Sequence, residues 1–100
     1  MNTKPHCPSA NLRMLGDYWT LSVIQALQSG EKRFCEVERT LTGINPTTLT
    51  NRLKKLEKSL MIKRREETVD KLSVTYSLTE KGRAVLPVIR EMALFASKFA

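Results

Sequence analysis

Asn45-Pro46-Thr47-Thr48-Leu49-Thr50-Asn51-Arg52-Leu53-Lys54-Lys55-Leu56-Glu57-Lys58 is the stretch around which the rest of the chain is read. Asn45 is a good helix N-cap, and Pro46 suits the first helical position, where a missing N–H costs nothing. Leu49, Leu53, Leu56 and Leu60 follow at helical spacing and predict one apolar stripe. At about 100° per residue, Thr47, Asn51, Lys54, Lys55 and Lys58 point away from it. Short hydrogen-bonding side chains mixed with lysines suit the major groove of a duplex, where the short ones reach base edges and the long ones reach phosphates. The same face also reads as an ordinary solvated surface.

The placement of charge separates these two readings. From Pro46 to Arg65 there are seven basic residues (Arg52, Lys54, Lys55, Lys58, Lys63, Arg64, Arg65) against the single acid Glu57. That is a surplus of six out of a formal net charge of +7. Such concentration in one segment is the electrostatic footprint of a nucleic-acid-binding element. Basic helices that lie on membranes carry their charge along one long amphipathic helix instead.

One hundred residues, 41% of them apolar, predict a single globular domain over residues 1–100. No apolar run reaches the roughly 18 residues that span a bilayer, and the N-terminus carries no apolar signal segment. The expectation is a cytoplasmic protein with no membrane association. Cys7 and Cys35 are too few for a disulfide framework. His6 with these cysteines has no metal-ligand spacing, and there is no serine elbow or Gly-rich phosphate loop. No catalytic residue, metal or cofactor is therefore expected, and no small-molecule effector is assigned.

Outward from the central stretch, Phe34, Val37 and Leu41 form the apolar side of a preceding helix, with Gly43 as breaker and Ile44 packing back across the turn. Two helices joined in this way have helix-turn-helix spacing. Leu12, Met14 and Leu15 predict a short helix ending at Gly16. Asp17 caps the next one, whose Trp19, Leu21, Val23, Ile24, Ala26 and Leu27 make it a core element. Trp19 reads as a core or interface anchor, or as the wall of an effector cleft. Beyond Leu60 the period changes to two. Ile62 and Arg64, then Val74, Tyr76 and Leu78, predict a two-stranded β-hairpin bearing Lys63, Arg64 and Arg65, with an acidic tip. A ribbon after the second helix of the motif is a wing, so the fold class is mainly α with a small β-hairpin: a winged helix-turn-helix.

Thr79 caps a last helix that Pro87 kinks or restarts. Its apolar band (Val85, Val88, Ile89, Met92, Phe95, Ala96, Phe99) is wide enough either to cross its own domain or to pair with a second chain; in a domain this small the second chain is the expectation.

Cys7-Pro8, Leu15-Gly16-Asp17-Tyr18-Trp19-Thr20-Leu21, Arg33-Phe34-Cys35-Glu36-Val37, Gly43-Ile44-Asn45 running on to Glu57, Tyr76-Ser77-Leu78-Thr79-Glu80-Lys81-Gly82 and Leu86-Pro87-Val88-Ile89 together resemble the HxlR-type bacterial transcriptional regulators over nearly the whole chain. The resemblance implies a winged helix-turn-helix homodimer, joined by its N- and C-terminal helices, that binds pseudo-palindromic operators in double-stranded DNA. On this chain the implied interface falls on Leu12, Leu15, Ile89, Met92, Phe95 and Phe99. Thr47, Thr48 and Asn51 are expected near base edges, and Lys54, Lys55, Lys58, Arg64 and Arg65 on phosphates. Arg52 either joins them or braces the helices. In some members of the family the cysteine of the Cys-Pro pair senses oxidants or electrophiles, so Cys7 is either such a thiol or an inert one. The alternative to a regulator is a winged-helix module that binds protein or RNA without reading an operator. Three departures from the family stand out: Leu60 where a glycine usually ends the helix, Asp17-Tyr18 before the tryptophan, and Thr47 at a place often basic.

Overall fold

A computed structural model of the chain describes residues 13–66 and 74–99. Cys7, Leu12 and the connection between the hairpin strands lie outside the described residues. A helical turn at 13–15 leads into α1 (Tyr18–Ala26), β1 (Lys32–Arg33), α2 (Phe34–Thr40), α3 (Pro46–Lys58), β2 (Ile62–Glu66), β3 (Val74–Leu78), α4 (Glu80–Arg83) and α5 (Leu86–Phe99).

Local chemistry sets each boundary. Asp17 Oδ2 accepts from the Thr20 N–H at 2.9 Å and so caps α1. The Arg33 N–H donates to Glu36 Oε1 at 2.8 Å, satisfying a donor at the start of α2. Gly43 turns the chain between α2 and α3 at φ +89°, a region that side chains other than glycine rarely occupy. Asn45 Oδ1 accepts from the Thr47 N–H at 2.7 Å and opens α3. Val23, Ile24 and Leu27 of the α1 segment, Val37 of α2 and Leu49, Leu53 and Leu56 of α3 form one buried core with Ile62 and Leu78 of the sheet. Fully burying each such side chain stabilises the fold by about 1.5–3 kcal/mol. Trp19 packs against this cluster.

Three features differ from expectation. The wing is part of a three-stranded sheet rather than a lone ribbon. β3 pairs antiparallel with β2 (Ile62↔Leu78 to Glu66↔Val74) and, on its other edge, with β1 (Lys32↔Tyr76, Arg33↔Thr75). Two cationic residues carry no alternation, so β1 has no sequence signal. The third strand matters because an isolated hairpin is marginally stable in water.

Second, Leu60 does not continue the buried stripe of α3; it is 68% exposed, at φ +63°. The helix ends in a Schellman arrangement, with the Met61 N–H bonded to the Leu56 carbonyl at 2.9 Å and the Leu60 N–H to the Glu57 carbonyl at 3.0 Å. Leucine thus takes the left-handed position that glycine normally fills. The strand-to-helix corner reinforces this end: the Thr79 hydroxyl donates to the Leu60 carbonyl at 2.6 Å and Lys81 Nζ to the Ser59 carbonyl at 2.9 Å. Gly82 lies so close to the Met61 carbonyl that a Cβ there would collide with it.

Third, the last helix restarts at Pro87, as one of the two readings of that proline had it, but its apolar band is divided between core and surface. Thr79 caps only the single turn α4, and the chain restarts as α5 with Pro87 in its first turn. Proline needs no N–H partner there. Val85 and Ile89 then fall inside the domain's own core, so Ile89, grouped by sequence with the dimer contacts, is already covered by its own chain.

Candidate nucleic-acid interface

Helix α3 is held by its leucines with its opposite side turned to solvent. Thr47, Asn51, Lys54, Lys55 and Lys58 are exposed and Thr48 is half-buried, so the structure gathers them on one outward surface. Lys54, Lys55 and Lys58 make no ion pair with any described residue.

Arg52 sits on the edge of this surface. Its Nε donates to Asp17 Oδ2 at 2.7 Å and its Nη2 to Asp17 Oδ1 at 3.1 Å, a two-pronged grip that ties α3 to the cap of α1. The Thr20 hydroxyl donates to Asp17 Oδ2, the oxygen that Arg52 Nε also reaches, at 2.8 Å. Arg52, aided by these Thr20 bonds, holds the Asp17 carboxyl at about 2, below its ordinary 3.8, and the carboxylate in turn raises the Arg52 guanidinium. Bracing is therefore the role its geometry supports. The partners lie 35 residues apart, and no local pattern announced them.

The wing cations are also engaged. Arg64 lies opposite Tyr76 in the ladder; the Tyr76 hydroxyl and then the Glu66 carboxylate, 2.9 Å away, hold its guanidinium above the ordinary value. Arg65 reaches Glu31 at 2.9 Å, and the same carboxylate accepts from the Thr75 hydroxyl at 2.9 Å, pinning the approach to β1 against the sheet. Exposed pairs of this kind contribute about 0–1 kcal/mol and exchange partners readily. A phosphate can thus still recruit either arginine, at the cost of displacing an acid. Lys63 is exposed and makes no ion pair among the described residues.

The other predicted surface is less uniform. Leu15 is half-buried, whereas Met92, Phe95 and Phe99 stand in solvent along α5 beside Val88 and Leu94. The Phe95 and Phe99 rings touch, with centroids 5.1 Å apart. Cys35 is exposed. Among the described residues there is no group of three or more potential metal ligands, and no helix is long and apolar enough to cross a membrane.

The sequence profile of the HxlR-like helix-turn-helix family matches residues 14–100. The HTH-type transcriptional regulator YodB of Bacillus subtilis is 36% identical over 95 residues, covering 93% of this chain and 85% of its own. Its reduced form superimposes with a TM-score of 0.82 at 35% identity over 99% of this chain and 96% of that one. Diamide-treated YodB matches at 0.75 and 37% identity over 100% and 98% of the two chains. A MarR-family regulator from Porphyromonas gingivalis W83 reaches 0.85 at 30% identity over 100% of this chain and 99% of its own. The oxidised form of the redox regulator HypR gives 0.82 at 29% identity over 94% and 98%. These likenesses extend through α1, the helix pair, the wing and α5, and with the outward face of α3 they assign the chain to the HxlR-like helix-turn-helix family of transcriptional regulators, a membership that implies DNA binding.

Proposed function

We propose that the protein is a cytoplasmic, operator-binding homodimer in which α3 enters the major groove and the wing follows the backbone. The observation that carries this reading is the outward face of α3, where Thr47, Asn51, Lys54, Lys55 and Lys58 stand exposed and the lysines are unpaired among the described residues. Thr47, Thr48 and Asn51 read base edges; the lysines, with Arg64 and Arg65 recruited from their acids, hold phosphates. The second copy lies on α5, where Met92, Phe95 and Phe99 need a cover that no described residue of their own chain supplies. A two-fold axis then sets the two α3 helices about 34 Å apart, one turn of B-DNA.

Cys7 is proposed as a thiol that modulates this binding. Lys4, His6 and Arg13 lie near it in sequence, basic residues of the kind that lower a thiol's pKa when they adjoin it. Diamide-treated YodB and oxidised HypR are both similar to this chain, which supports such a role.

Selection of bound fragments from genomic DNA tests the whole reading. A palindromic consensus is expected, with affinity falling against log salt at a slope of about −5 to −7 if each subunit neutralises three or four phosphates. Equal affinity for any duplex, or preference for RNA, rejects it in favour of an interaction module. On the recovered consensus, diamide is expected to weaken wild type and spare Cys7→Ser; equal responses remove Cys7 from the account.

A further inference from the structure

Beside α3, on the flank away from the wing, lies an open cleft of about 420 Å³ lined by Arg13, Asp17, Arg52, Lys55 and Lys58, with Met14, Thr20 and Ser59 completing its walls. Its charges do not cancel. The one acid, Asp17, is saturated by Arg52 and by the Thr20 N–H and hydroxyl. Arg13, Lys55 and Lys58 make no ion pair among the described residues, so the cleft carries three cations in surplus. The comparable cleft on the wing side, about 430 Å³, sets Glu57 against Lys54 and Arg64, and Arg64 is further engaged by Glu66. Concave walls of one sign focus potential and concentrate anions. The stronger anion site is therefore on the α1 side, where Arg13 joins two lysines that the sequence already placed on phosphates.

We infer that this cleft seats a phosphate group of the bound duplex, with Arg13, Lys55 and Lys58 as its contacts and Arg52 held beside them by Asp17. The inference rests on the DNA-binding reading for the source of the phosphate. Lys55 and Lys58 are shared between the cleft and the outward face of α3, so a backbone running past that face enters the cleft without leaving the helix. Arg13 becomes a DNA contact from outside the helix-turn-helix. A free phosphate ion offers the same chemistry, and the two sources give different results.

The test compares wild type, Arg13→Gln and, as a control, Arg83→Gln, an exposed cation on α4. Each binds a generic duplex over a range of salt, since phosphate contacts carry no sequence information. Arg13→Gln is expected to flatten the slope by about 0.9 per subunit and to weaken binding at 0.1 M salt by roughly eightfold per subunit, that slope extrapolated to 1 M. Arg83→Gln is expected to match wild type. An unchanged slope in Arg13→Gln, or an equal loss in both variants, overturns the inference. If wild type binds no duplex, inorganic phosphate titrated at constant ionic strength against the Thr20 and Ser59 amide resonances decides the rest. Saturable shifts that Arg13→Gln abolishes keep the cleft as a phosphate site and reject the DNA source; absent or Arg13-independent shifts reject the cleft as well.

Discussion

Helices α3 and α5 are both amphipathic, yet one hides its apolar stripe and the other displays it. Leu49, Leu53 and Leu56 are 0–2% exposed, whereas Met92, Phe95 and Phe99 are 47%, 67% and 68% exposed. The difference arises from what the rest of the chain brings over each helix. α1 and β2 pack across α3. Among the described residues, α5 packs on the body through its first turns, with Ile89 as its last buried residue. Helical periodicity thus reports that a face must be covered and is silent on which chain covers it.

The largest expected effect breaks the two helices apart by stability. Leu53→Ala opens a cavity in a sealed core and is expected to cost about 2–5 kcal/mol of unfolding free energy at every protein concentration. Phe95→Ala removes a ring from a face that the described residues of its own chain leave bare. It is expected to change the isolated subunit by no more than about 0.5 kcal/mol, and to weaken self-association by roughly 2 kcal/mol, about thirtyfold. Urea unfolding across a range of protein concentrations, with sedimentation equilibrium, separates the two terms. If Phe95→Ala destabilises the subunit as much as Leu53→Ala does, the contrast is lost and α5 belongs to the core.

The same contrast explains what could be read in advance. Caps and stripes are local, so Asp17, Asn45, Thr79 and the leucines of α3 announced their elements, and the cations of α3 announced the face that they share. What was not legible depends on tertiary partners. Nothing near Asp17 pointed to Arg52, nothing near Arg65 pointed to Glu31, and the two residues of β1 are too few to carry a period. Arg13 stood outside the DNA-binding pattern, as a basic neighbour of Cys7 in sequence, until the fold placed it in one cleft with Lys55 and Lys58. Ile89 and Phe95 belong to one apolar band on the same helix, and only the point at which α5 runs past the body divides them between core and surface.

A smaller effect sharpens the account on the α3 side. Arg52 and Thr20 hold the Asp17 carboxyl at about 2, against 3.8 unpaired, so the pairing contributes fully above about pH 4 and is lost as pH falls through 2. With 23% of the arginine and 32% of the aspartate side chain exposed, solvent screening reduces the contribution to about 1–2 kcal/mol. Asp17→Asn keeps an oxygen to cap α1 but removes the charge. It is expected to lose about 1–2 kcal/mol at pH 7 and to flatten the fall in stability between pH 4 and 2. Thermal unfolding across that window measures both. A variant that keeps the wild-type slope assigns the acid sensitivity to another carboxylate.

The smallest effect sits at Leu60, which has the conformation of one region and the exposure of the other. Its left-handed backbone costs about 1–2 kcal/mol relative to a residue without a Cβ. Glycine there relieves that strain but adds freedom to the unfolded chain that costs about 0.5–1 kcal/mol on folding. Leu60→Gly is therefore expected to stabilise the protein by about 0.5–1 kcal/mol, independent of protein concentration, because Thr79, Lys81 and the Schellman bonds hold the helix end through backbone carbonyls that the substitution leaves in place. A loss of stability that fades on dilution, as both proteins fall to single subunits, would mean the opposite: that a second copy covers Leu60, and that this corner of α3 shares in the uncovered surface of α5. Thermal unfolding at two protein concentrations tells these apart, and with them whether the strain at Leu60 is a local defect or is kept for a contact made by a partner.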